Sequence, residues 1–229
     1  MGKIIFEACV ESIDSAIAAE IAGADRIELC SDLEIGGITP SYGLIKSATE
    51  KLSIPVNVLI RPRGGDFVYS EQEFEVMKRD ILLCRDSGVN GIVIGILLGN
   101  NTIDKERTFE LIDIAQPMSI TFHRAFDETV SPIEALETLI NLKVDRLLTS
   151  GQTTDAYSGK DTIKKLVDYA KDRIIIMPGG GVNESNIAEI IKYTGVKEIH
   201  GSARTKNQNG LGNSFSKEKL TSMLKAIKN

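Results

Sequence analysis

Eight times along this chain a short apolar or β-branched stretch gives way, after a few turn residues, to a longer stretch with helical periodicity. The β-type stretches fall at 3–9, 25–30, 56–61, 91–95, 119–123, 146–149, 173–177 and 198–200. The helical ones fall at 13–22, 42–52, 71–87, 105–115, 132–141, 162–170, 184–193 and 217–227. Eight βα units in 229 residues take about 29 residues each, the length of a compact (β/α)8 barrel, which typically runs to about 250 residues. An open doubly wound sheet also alternates, but no Gly-x-Gly-x-x-Gly follows the first β-type stretch. The expected fold class is therefore α/β, a (β/α)8 TIM barrel, with residues 1–229 as one domain without linkers. A hydrophobic content of 42% is ample for a core of that size.

The helix ends carry their own signals. Ser70 with Glu73, and Ser131-Pro132 with Glu134, read as capping boxes, the second with proline at the first helical position. Thr39-Pro40-Ser41 and Asn183 are further N-terminal signals, and Gly23, Gly88 and Gly195 close helices. The polar stretch 205–213 reads as a mobile loop.

Composition narrows the function classes. With 27 basic and 32 acidic residues, interspersed, the chain has no basic stripe for nucleic acid. It shows neither a signal peptide nor an apolar run of about 18 residues, so a cytoplasmic location and no membrane partner are expected. Three cysteines in such a chain read as reduced thiols.

Two β-type stretches end alike, Glu7-Ala8-Cys9 and Glu28-Leu29-Cys30. The period of two puts Glu7 with Cys9 and Glu28 with Cys30 on one face of each strand. A carboxylate cannot face a helix layer unpaired, so these faces are expected to point into a partly polar barrel interior. Neighbouring strands lie about 4.8 Å apart, which lets Cys9 and Cys30 converge on one soft ion such as Cu(I). They serve equally well as small residues filling a tapering barrel.

Other strand ends supply further candidates. Arg61 and Arg63, ahead of Gly64-Gly65, suit either a bound oxyanion or neutralisation of Glu7 and Glu28. His123 and Asp127 suit proton transfer, with the carboxylate fixing the imidazole tautomer; the alternative is a satisfied interior histidine and a turn-capping aspartate. Gly179, Gly180 and Gly181, with Gly201 and Ser202, stand after the seventh and eighth strands, where barrels of this class hold phosphates on backbone N–H groups; a tight turn binding nothing needs the same glycines. An enzyme built on these parts is an isomerase or lyase for a small phosphorylated or carboxylated metabolite, with His123, Glu7 or Glu28 moving protons. A Schiff-base aldolase is disfavoured, because the sixth strand ends in Leu148-Thr149-Ser150 without lysine.

Together these motifs resemble the CutC copper-homeostasis family over nearly the whole chain. The residues that carry the likeness are Glu7-Ala8-Cys9, 24–30, 36–41, 61–67, 122–127, 148–151 and 179–182. The resemblance implies a cytoplasmic (β/α)8 barrel linked to copper handling and assembled as a homo-oligomer, a dimer or tetramer. It also implies that Cys9 and Cys30 are Cu(I) ligands. The partner is then a copper ion or, on the enzyme reading, a small anionic metabolite.

Overall fold

The computed structural model describes residues 2–206 and 213–228. Its eight barrel strands are β1 (Ile5–Val10), β2 (Arg26–Leu29), β3 (Val56–Leu59), β4 (Gly91–Ile94), β5 (Ser119–Phe122), β6 (Arg146–Thr149), β7 (Ile175–Pro178) and β8 (Glu198–Gly201). All neighbours run parallel, in the order β7-β6-β5-β4-β3-β2-β1-β8, and β7 packs beside β8 to bring the sheet round almost to closure. The helices are α1 (Ile13–Ala22), α2 (Tyr42–Lys51), α3 (Glu71–Asp86), α4 (Lys105–Ala115), α5 (Pro132–Asn141), α6 (Lys160–Ala170), α7 (Ile187–Thr194) and α8 (Lys217–Lys228). This is the TIM-barrel architecture expected from the alternation.

The apolar core is the ring between sheet and helices. Outward-facing Phe6, Ile27, Ile92 and Phe122 meet helix residues such as Phe74 and Leu136 there. A second, small cluster of Cys9, Cys30, Leu59 and Val93 lies inside the mouth. The lumen below it is largely polar: Glu7, Arg26, Asn57, Thr121, Arg146 and Glu198 are all buried there, beside Met177. Barrels of this fold usually fill that space with branched apolar side chains.

Helix boundaries follow the caps. Ser70 and Glu73 form the expected reciprocal box, and Ser41 accepts from Leu44 N–H. Ser131 does not cap with its side chain; its ψ of 101°, against 168° at Ser70, differs from that of a capping serine, and Pro132 alone marks the start. Asn183 does not start α7. Its carboxamide oxygen accepts from Ser185 N–H and Oγ–H, and this local turn delays the helix to Ile187. Of the expected loop at 205–213, residues 207–212 lie outside the described residues. On either side β9 (Arg204–Lys206) and β10 (Asn213–Phe215) pair as an antiparallel ribbon. No helix among the described residues is long and apolar enough to cross a membrane.

Candidate metal centre

Register brings the chemistry together. Glu7 on β1 sits opposite Arg26 on β2 and His200 on β8, and Cys9 sits opposite Glu28. These side chains all face the lumen, because the period of two that points Phe6 and Ala8 outward points Glu7 and Cys9 inward.

The lower layer is an ion-pair network. Arg26 donates from Nε to Glu7 (2.5 Å) and from Nη2 to Glu198 (2.6 Å), and Arg146 Nε reaches the same Glu198 oxygen at 2.7 Å. Asn57 Nδ2 donates to Glu7 at 3.1 Å. Glu7 also meets His200 Nδ1 at 2.9 Å, which makes it the link from this layer to the mouth. Burial opposes its charge, but the hydrogen bond from His200 and the adjacent Arg26 guanidinium outweigh that and hold its pKa at about 2.

Above it, Cys9 Sγ and Cys30 Sγ lie 3.7 Å apart, and Glu28 offers a carboxylate oxygen within 4.8 Å of both sulfurs. His200 Nε2 is 3.6 Å from Glu28 Oε2. The two thiols differ sharply. Its hydrogen bond with Cys30, then His200 beside it, bring Cys9 down to about 5 against the effect of burial. Burial, then the neighbouring Cys9, push Cys30 well above the usual thiol range. Burial and the Cys9 charge likewise raise Glu28. His200 goes the other way: burial disfavours its cation, yet hydrogen bonds with Cys9 and Glu7 raise its pKa well above that of free imidazole. These surroundings favour the thiolate at Cys9 and the imidazolium at His200, and the neutral forms of Cys30 and Glu28.

The remaining candidates are placed differently. Arg61 and Arg63 do not neutralise Glu7 or Glu28; Arg26 and His200 do. Arg61 donates to the carbonyls of Ile35, Gly37 and Gly65 and lies over Phe67, shaping the loops of the mouth. Arg63 pairs with Asp66 and Glu73 on the surface. Asp127 does not fix the His123 tautomer. It accepts from Thr149, Ser150, Gln152 and Arg124, whereas His123 Nδ1 accepts from Ala125 N–H at 3.1 Å. Burial, then the Arg61 charge, lower the His123 pKa to about 3, so the ring is neutral with its proton on Nε2.

Gly179 is packed against Leu148 and His200, and Gly180, at φ +94°, lies under the Arg124 guanidinium. The N–H groups of Gly180 and Gly181 make no hydrogen bond among the described residues. Gly201 and Ser202 lead into the β9 ribbon, where a phosphate-binding barrel would start a short helix.

Sequence reasoning passed over Arg26, Asn57, Arg146 and Glu198 as site residues. The signal was present for two of them: Arg26 shares the two-residue period with Glu28 and Cys30, and Glu198 shares it with His200. Both mouth thiols, Glu28, Arg61, His123, Arg124, Asp127 and His200 line one cavity of about 370 Å³ at the C-terminal ends of the strands. A larger hollow of about 540 Å³, between the segment after β4 and the start of α5, contains no cysteine or histidine.

The sequence model of the CutC family matches residues 4–205. A copper homeostasis protein cutC homolog of Homo sapiens is 48% identical over 207 residues, covering 90% of this chain and 76% of that protein. A family protein CutC of Mesorhizobium japonicum is 50% identical over 87% of this chain and 77% of its own. Among solved structures, CutC from Streptococcus agalactiae superposes with a TM-score of 0.83 at 39% identity, over 87% of this chain and 98% of that one. Phosphoribosylanthranilate isomerase from Thermotoga maritima, at 16% identity and a TM-score of 0.64 over 98% of both chains, shares the fold alone.

Proposed function

Since the chain belongs to the CutC family, we propose that it serves copper homeostasis by binding Cu(I) between Cys9 and Cys30. The observation that carries this is the 3.7 Å separation of the two sulfurs at the mouth. With metal–thiolate bonds of about 2.3 Å, one ion spans sulfurs up to about 4.6 Å apart. Soft sulfur donors select Cu(I) over the harder divalent ions. Cys9, brought down to about 5, is a thiolate at neutral pH, and Cys30 gives up its proton to solvent when copper binds. Glu7, held by Arg26, orients His200.

The same reading includes a cytoplasmic location, where thiols stay reduced, and a homo-oligomeric assembly. Titration of Cu(I) against a competing chelator tests the binding. One tight copper per chain is expected in the reduced protein, and none in the Cys9→Ser, Cys30→Ser double variant. Equal stoichiometry and affinity in both would remove the proposal.

The second reading, an isomerase or lyase holding a phosphate or carboxylate on the turns after β7 and β8, is favoured by the unengaged N–H groups of Gly180 and Gly181. It lacks the helix start that β9 replaces. Inorganic phosphate that leaves the resonances of these two glycines unmoved would count against it.

A further inference from the structure

His123 and Arg124 take no part in the copper reading above, yet they line the same cavity as the thiols. His123 is 6% exposed and lines the cavity. Its Nδ1 is committed to Ala125 N–H, which leaves the proton on Nε2, and Nε2 has no partner among the described residues. A buried donor left in this state costs free energy and calls for an explanation. The ring is also held firmly in position. It packs 5.0 Å from the Phe67 ring and lies so close over Gly95 that a Cβ there would stand 2.3 Å from Cε1.

Next to it, Arg124 engages Asp127 through Nε and Ser150 through Nη2, and Gly180 supports the flat of its guanidinium. Its Nη1 makes no hydrogen bond among the described residues. Leu33, Ile35, Leu59, Phe67 and Leu148 supply apolar lining to the same cavity, with Arg61 lying over the Phe67 ring.

We propose that the mouth binds a small monocarboxylic acid with an apolar body, its carboxylate taken by His123 Nε2–H and Arg124 Nη1 and its body lying on Leu59, Phe67 and Leu148. A neutral imidazole N–H and one guanidinium edge match the two oxygens of a planar carboxylate. A dianion is the poorer match, because the acidic residues Asp127 and Glu128 line the same cavity. A volume of about 370 Å³ lies within the range of small-molecule sites. His123 Nε2–H, which has no partner among the described residues, gains an acceptor when such a ligand enters.

Benzoate is the probe, with benzamide as its uncharged analogue and phenyl phosphate as the dianion. Isothermal titration of the copper-free, reduced protein is expected to give saturable benzoate binding, with benzamide and phenyl phosphate weaker by roughly tenfold or more, the size of one hydrogen bond to a charged group. His123→Phe keeps a flat ring and removes the donor, and Arg124→Gln removes the charge from a partly exposed rim position; each is expected to weaken benzoate by a similar factor. In the wild type, the 15Nε2 resonance of His123 should move on adding benzoate, a readout that needs no variant. The Cys9→Ser, Cys30→Ser protein should lose Cu(I) and keep benzoate, so that failure of the copper reading and failure of this one are told apart. Benzamide or phenyl phosphate binding as well as benzoate, no benzoate binding, or an unmoved His123 resonance would each overturn the assignment.

Discussion

Replacing Arg26 by methionine removes the cation that bridges Glu7 and Glu198 while keeping a long side chain to fill the lumen beside Met177. Stripping one partner from a buried ion pair costs about 3–5 kcal/mol, because the remaining charge stays buried and uncompensated. Here the lower end applies: Glu7 keeps His200 and Asn57, and Glu198 keeps Arg146. The expected loss at pH 7 is about 3 kcal/mol, large against the roughly 5–15 kcal/mol of a typical domain.

Its pH dependence follows from Glu7. The folded-state pKa is depressed from 4.5 to about 2, so the stabilisation is complete above 4.5 and is lost as pH falls through 4.5 toward 2. The difference between wild type and Arg26→Met should therefore be constant from pH 7 to about 5 and shrink below that. Urea denaturation followed by circular dichroism, repeated at each pH, reads both features. A loss under about 1 kcal/mol at pH 7, or one that grows on acidification, would refute the view that Arg26 neutralises the lumen.

Three further outcomes follow from the same geometry. Cu(I) binding at pH 7 should release about one proton, from Cys30, because Cys9 at about 5 has already lost its own; calorimetry in buffers of different ionisation enthalpy counts it, and two protons would contradict the Cys9 thiolate. Gly95→Ala should cost about 1–3 kcal/mol and disturb the His123 ring, since its Cβ meets Cε1 at 2.3 Å; an unchanged melting temperature and His123 spectrum would show that the ring is not held there. Ser70→Ala should cost about 1 kcal/mol through loss of the α3 capping box, whereas Ser131→Ala, with no cap bond to lose, should cost much less in the same melting experiment.

The barrel was legible because period-two and period-3.6 stretches alternate eight times, and because most helix starts carry their caps. So was the shared face within each Glu-x-Cys pair, which follows from strand alternation alone; that the two faces meet rests on the β1–β2 register. What pairs with what inside the lumen was not. Arg61 and Arg63 were candidates for Glu7 because they end a nearby strand, yet loop carbonyls, Asp66 and Glu73 hold them. Arg26, opposite Glu7 in the register, is the partner that the sequence alone could not align. The roles of His123 and Asp127 turned on a backbone N–H two residues from the ring, which no spacing rule exposes. The difference between Cys9 and Cys30 likewise arises from their mutual hydrogen bond, from burial, and from His200, which lies some 190 residues from Cys9 in the chain and is brought near it by the β1–β8 pairing.

Copper X-ray absorption on the Cu(I)-loaded protein tests the copper centre most directly. Two sulfur neighbours per copper are expected in the wild type, falling to one in Cys9→Ser or Cys30→Ser. A shell of nitrogen and oxygen neighbours alone, or a spectrum indifferent to both substitutions, would show that the paired sulfurs of the mouth are not where copper binds.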